Sequence, residues 1–129
     1  LDNGHLIGSH TCTHAKLSEI NDFRILEKEI VESGDILEEK LGVKIEHFAF
    51  PFGNIESISP QALKIARSRY RYIYTGMRGN NIKAPAWAIR RDATKPEDSL
   101  NLLGAFLEGA ADIYYSLKLA KYESWSKLK

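Results

Sequence analysis

A chain of 129 residues with 43% hydrophobic and 27% charged residues has the size and make-up of one globular domain with its own core. Basic residues (18) and acidic residues (17) nearly cancel to a net charge of +1, so no global field recruits nucleic acid or an anionic membrane. A single cysteine, Cys12, excludes an internal disulfide framework and a Cys-x-x-Cys zinc module, and no apolar run approaches the ~20 residues needed for a transmembrane segment.

Leu6-Ile7-Gly8 reads as the end of a strand that leads into Gly8-Ser9-His10-Thr11-Cys12-Thr13-His14. From about Asn21 to Leu41, apolar residues recur at intervals of three and four (Phe23, Leu26, Ile30, Gly34, Leu37, Leu41) with Glu and Lys opposite, which predicts an amphipathic helix. Asn21 is its expected N-cap and Gly42 its expected stop. Ile45 to Phe50 predicts a buried strand, closed by Pro51 and Gly53. Ser59-Pro60 opens a second helix, serine as N-cap and proline at the first helical position, which runs to about Arg69. Tyr72-Ile73-Tyr74-Thr75 is a further strand, Met77 to Pro85 a loop, and Trp87 to Arg90 a short strand. A third helix begins at Asp98 or Ser99, and helical character resumes between Ala110 and Tyr122. Near the end, Lys118, Lys121, Lys127 and Lys129 read as a solvated helix face or a frayed tail.

This alternation predicts parallel strands joined by crossover helices, an α/β fold. Residues 1–129 read as a single domain without internal repeat, low-complexity tract or linker. The visible strands are about half of what a closed (β/α) barrel needs. The chain starts at Leu1 rather than methionine, and its first residues read as the end of a structural unit, so a piece of a longer protein is expected.

His10 and His14 are spaced so that two imidazoles, the commonest metal ligands in proteins, can reach one ion. On a helical turn they would share a face and Cys12 would point elsewhere; on a strand, residues 10, 12 and 14 would all share a face. The spacing leaves both geometries open. It also leaves open a plainer role as capping or hydrogen-bonded loop histidines, because catalytic zinc generally takes three protein ligands and a water. Phe50-Pro51-Phe52-Gly53 is a strand exit in which proline fixes φ and glycine permits a sharp turn. Parallel α/β folds build active sites at such strand ends. An ordinary exit with Phe48, Phe50 and Phe52 all in the core is the alternative.

The run from Gly4 to His14, continued by Leu17 and Ser18, and the run Phe48-Ala49-Phe50-Pro51-Phe52-Gly53 resemble the second and third motifs of the polysaccharide deacetylases, the NodB-homology carbohydrate esterases of family 4. The resemblance covers about residues 4–92, and residues 93–129 form a C-terminal helical segment outside it. It implies an α/β partial (β/α) barrel of the NodB type, with the N-terminal strands missing. The family's first motif, which supplies two aspartates, is missing with them. It implies that His10 and His14 bind a divalent metal of the zinc type, and that the Thr11 hydroxyl braces their loop. Cys12 falls at a variable position and reads as a small buried packing residue, while His5 and His47 face solvent without a role. In the family, the backbone N–H of the aromatic after proline helps hold the tetrahedral oxyanion. Phe52 would do so here, with Phe50 and Pro51 walling the substrate groove. The family's arginine at this turn aligns with Ala49; its late strand ends in arginine, which makes Arg90 or Arg91 a candidate for the groove. No histidine follows His47, so the family's late general acid has no counterpart. Asp2 and Asp92 remain as substitute ligands, although neither matches a family position.

The resemblance therefore implies a metal-dependent hydrolase that removes acetyl groups from N-acetyl sugars of a polysaccharide or oligosaccharide, incomplete in this chain. The ion would polarise the carbonyl, an aspartate would act as base, and backbone N–H groups would stabilise the oxyanion. A non-catalytic carbohydrate-binding or assembly domain that keeps the fold is the alternative, and a structural metal-binding module a third. The family suggests an extracytoplasmic or cell-envelope location in a bacterium, and the sheet edge left open by missing strands suggests self-association.

Overall fold

Alternate residues of a strand point to opposite faces, and this sequence uses the two faces differently. In the computed structural model, which describes residues 3–110 and 112–125, β1 (Gly8–Ser9), β2 (His47–Ala49) and β3 (Tyr72–Tyr74) form a parallel sheet in the order β1-β2-β3. The register pairs Ser9 with Phe48 and Phe48 with Ile73, and all three are buried on one face. Gly8, His47 and Tyr72, and then Ala49 and Tyr74, line up on the other, which stays partly open. Asp2, Lys127 and Lys129 lie outside the described residues.

Helices cover the Phe48 face. After a 3-10 turn at Leu17–Glu19, one continuous helical run comprises α1 (Phe23–Glu27), a π-helical turn (Lys28–Glu32) and α2 (Ser33–Leu41). Its N-cap is Asp22, one residue beyond the expected Asn21; the Asp22 carboxylate accepts from the Arg24 N–H at 2.8 Å. Gly42 ends the run with φ 64°, as the stop signal predicts. The apolar stripe buries Leu26 and Ile30, while its expected ends, Phe23 and Leu41, are exposed. Two polar residues, Glu29 and Ser33, are buried within the stripe.

The second helix, α3 (Pro60–Arg69), starts as its sequence predicts: the Ser59 hydroxyl accepts from the Ala62 N–H at 3.1 Å, and Pro60 opens the first turn. It buries Ala62, Leu63, Ile65 and Ala66. The expected strand at Trp87–Arg90 is reduced to an isolated parallel bridge between Tyr74 and Ile89. It still covers the outer edge of β3, because Ile73 donates to Ala86 at 2.8 Å and Thr75 to Ile89 at 2.8 Å. Two further helices, α4 (Leu100–Leu107) and α5 (Asp112–Ser124), complete the described chain. Ser99 caps α4, and α5 docks through Leu119 and Tyr122, the latter stacked on Trp87.

Sheet and helices are locked together at Gly34. Phe48 stacks on Tyr70, whose hydroxyl donates to the Ile30 carbonyl at 2.6 Å, and that hydroxyl lies where a Cβ at Gly34 would be, with the ring edge close behind. Gly→Ala in an ordinary helix stabilises by ~1 kcal/mol. Here overpacking against a tethered ring, about 1–3 kcal/mol, opposes that gain. Gly34→Ala is therefore expected to lower the urea-unfolding midpoint, and a midpoint at or above wild type would contradict this packing.

Candidate active site

Both sequence motifs emerge at the carboxyl edge of the parallel sheet. His10 follows β1 directly, and its Nδ1 lies 2.7 Å from the carbonyl oxygen of Ala49, the last residue of β2. A carbonyl can only accept, so Nδ1 carries a proton, and in the neutral imidazole the lone pair is then on Nε2. The chain then follows neither of the geometries the spacing allowed. Thr11 and His14 both adopt left-handed backbone, with φ 68° and 60°, and the loop folds back until the two imidazole centroids are 4.9 Å apart. Both rings are exposed.

A buried carboxylate holds this loop. Glu29, 6% exposed and set in the π-helical turn, accepts from the backbone N–H groups of Cys12 and Thr13 at 3.0 Å each. Its other oxygen accepts from the Thr13 hydroxyl at 2.8 Å. A left-handed non-glycine residue costs roughly 1–2 kcal/mol, whereas a hydrogen bond to a charged group contributes about 1.5–3 kcal/mol. Three such bonds outweigh two strained residues. The hydroxyl that reaches Glu29 is thus Thr13's rather than the expected Thr11's. Thr11 Oγ1 is buried with no hydrogen-bond partner among the described residues. Cys12, expected to be buried, is exposed, with its Sγ directed at the Lys28 carbonyl at 3.4 Å.

The second motif forms a three-residue turn. The Gly53 N–H donates to the Pro51 carbonyl at 2.6 Å, with Phe52 at its centre in left-handed backbone, φ 61°. This is a γ-turn of the strained kind. The turn is pinned from the far side: Gly76 donates to Gly53 at 2.7 Å, and the Gly76 backbone occupies the space a Cβ at Gly53 would need. The Phe52 ring is 60% exposed and meets His14 edge-on at 5.0 Å. No described residue accepts from the Phe52 N–H. Phe50 and Pro51, expected in the groove wall, are instead fully buried. Both lie just past the end of β2 and are enclosed by the core, so Phe52 alone of the three is presented to solvent.

A groove of about 350 Å³ runs along the open sheet face beside His10, lined also by His47, Ala49, Tyr74 and Arg91. His47 does not face solvent as expected. It is half-buried, stacked on Tyr72 at 4.6 Å, with Nδ1 2.9 Å from the Tyr74 hydroxyl. Arg91, rather than Arg90, reaches the groove; its Nε donates to the Thr75 carbonyl at 2.8 Å, and partial burial pulls its pKa down from the usual guanidinium value. Arg90 turns the other way, to Asn80 and Glu123. Asp92 belongs to a separate cleft and pairs with Arg78 at 3.6 Å. Among the described residues, no group of three or more His, Cys, Asp or Glu side chains could hold a metal ion. His10 and the adjacent His14 ring bring two imidazoles to this edge, one fewer than the three protein ligands a catalytic zinc generally takes. Glu29 escaped the sequence reading, although an acidic residue on the apolar stripe between Leu26 and Ser33 was its visible signal.

The sequence model of the family described as polysaccharide deacetylase matches residues 1–73, more than half of the chain. No curated protein matches the sequence. The fold is similar to that of a polysaccharide deacetylase from Bacillus cereus, with TM-score 0.65 and 21% identity over 82% of this chain. It is also similar to a Streptococcus pyogenes deacetylase, PplD, solved in complex with acetate (TM-score 0.62, 22% identity, 77% of this chain). IcaB from Ammonifex degensii shares the fold at TM-score 0.59, with 22% identity over 82% of this chain. The chain spans only 33%, 43% and 46% of those three proteins, respectively.

The loop geometry has a chemical readout at Cys12. Burial in the loop raises its thiol pKa, and the charges of Glu29 and Glu32 raise it further. The thiolate is the nucleophile, so Cys12 is expected to alkylate slowly at neutral pH despite its exposure. Its iodoacetamide rate should keep rising with pH where a peptide cysteine has already levelled off. Superimposable pH profiles would contradict the partial burial and acidic surroundings of this thiol.

Proposed function

The chain belongs to the polysaccharide deacetylase family, and from that premise we propose that it carries the imidazole pair and the oxyanion turn of a metal-dependent enzyme that hydrolyses N-acetyl groups on sugars of a polysaccharide. The observation that supports this reading best is the meeting of two motifs at one sheet edge: His10 and His14 side by side, with Phe52 against His14. The sheet is then an arc of a (β/α) barrel, whose active site belongs at the carboxyl ends of its strands.

Each residue has a distinct part. His10 is oriented by the Ala49 carbonyl so that Nε2 faces outward to a cation, and His14 supplies a second nitrogen. The chemistry a divalent cation supplies there is polarisation of the acetyl carbonyl and acidification of a water. Phe52 offers its free N–H to the oxyanion of the tetrahedral intermediate, and the γ-turn pre-orients that donor. Arg91 brings a guanidinium into the groove where the family's turn arginine is replaced by Ala49, and Tyr74 and His47 give the sugar an aromatic wall. A third ligand and a general base come from groups other than those assembled here.

Zinc titration calorimetry on this chain tests the proposal. One-to-one binding is expected, lost in His10→Ala and in His14→Ala. Zinc uptake that survives both substitutions would contradict it. The open groove also favours a rival reading, a non-catalytic carbohydrate-binding domain. Sugar binding by wild type without any zinc uptake would support that rival.

A further inference from the structure

Glu29 stands outside everything that the histidine and proline motifs account for. It is an acidic residue on the buried face of a helix; among the described residues it makes no ion pair, and its three hydrogen bonds all go to one loop. Burying a carboxylate is costly unless donors satisfy it, so a carboxylate retained at this place needs those donors as much as they need it. The donors, Cys12 and Thr13, lie inside the loop whose outer residues are His10 and His14. The loop is gripped at its middle by Glu29 and at its start by the His10–Ala49 bond. Beyond these, the path from Thr11 to His14, where two residues hold left-handed backbone, has only a long Cys12 Sγ–Lys28 carbonyl contact and the edge-on meeting of His14 with Phe52 among the described residues. The π-helical turn at Lys28–Glu32 carries Glu29, and insertions of this kind recur at functional sites.

We propose that Glu29 is a positioning residue, whose carboxylate sets the separation of His10 and His14 and thereby the affinity of the pair for a divalent cation. The inference rests on the reading of the two histidines as cation ligands. It makes a specific claim about geometry over charge. Glu29 makes no hydrogen bond or ion pair to either imidazole, so it acts through the bonds it accepts from Cys12 and Thr13 and not by pairing with the histidines. A glutamine can take the same place: its amide oxygen accepts from the Cys12 and Thr13 N–H groups, and its amino group donates to a rotated Thr13 hydroxyl.

The experiment compares wild type, Glu29→Ala, Glu29→Gln and Thr13→Val as full chains, each first shown to be folded by circular dichroism. Two readouts are taken, zinc titration and amide hydrogen exchange of the metal-free protein. Glu29→Ala is expected to weaken zinc binding about tenfold or more and to abolish the protection of the Cys12 and Thr13 amides, with core amides such as Phe48 unchanged. Glu29→Gln is expected to restore most of both. Thr13→Val removes one hydrogen bond and is expected to weaken zinc binding about fivefold; it carries the test alone if Glu29→Ala unfolds. Unchanged protection at Cys12 and Thr13 in Glu29→Ala, unchanged zinc affinity in a folded variant, or failure of glutamine to rescue would each overturn the proposal. Wild type that takes up no zinc would instead sink the reading of the two histidines, while the exchange data would still decide whether Glu29 holds the loop.

Discussion

The hydrogen bond between His10 Nδ1 and the Ala49 carbonyl joins segments 39 residues apart, and the rest of the site follows from it. It exists because β1 and β2 run parallel with Ser9 beside Phe48, which brings the residues that follow, His10 and Ala49, together at the same edge. Parallel strands need a long crossover connection. Here that crossover is the helical run from Phe23 to Leu41, which also carries Glu29 to the underside of the histidine loop. One connection thus closes the sheet, buries Phe48 and braces the loop.

Strain is gathered in the same place. The non-glycine residues with positive φ among those described are Thr11, His14 and Phe52, and all of them belong to the two motifs. Strained residues persist only where their surroundings over-determine them, and each side here has its own restraint. Glu29 supplies three acceptor contacts to the loop, and the Gly53–Gly76 backbone contact clamps the turn. The two clamped pieces meet where His14 and Phe52 touch. A site built this way holds its donors in position before any ligand arrives, which is what electrostatic preorganisation requires.

Much of the architecture could be read from local signals. Ser59-Pro60, Ser99 and Gly42 mark helix ends because their capping chemistry depends on neighbours in sequence alone. The parallel sheet followed from the alternation of helices and strands. Trp87–Arg90 failed as a regular strand, though its residues pair with β3, since pairing to an edge is decided by tertiary contacts. Other features depend on contacts across long separations. Whether Thr11 or Thr13 braces the loop depends on which of them meets Glu29, 16 residues beyond Thr13, and no local signal fixes that meeting. The placement of His47 between tyrosines depends on register with β3, 25 or more residues away in the chain. Phe50, Pro51 and Phe52 are adjacent, yet two are core and one is exposed, because a single γ-turn reverses the direction of the chain between them.

The central claim is that the Ala49 carbonyl fixes the tautomer of His10 and frees its Nε2 for a cation. Imidazole nitrogen-15 chemical shifts measure this directly in a protein of 14.6 kDa. The account predicts a protonated Nδ1 at His10 in the metal-free protein and, on adding zinc, shifts at Nε2 of His10 and in the His14 ring together. A protonated Nε2 at His10, with both rings unmoved by zinc, would contradict it.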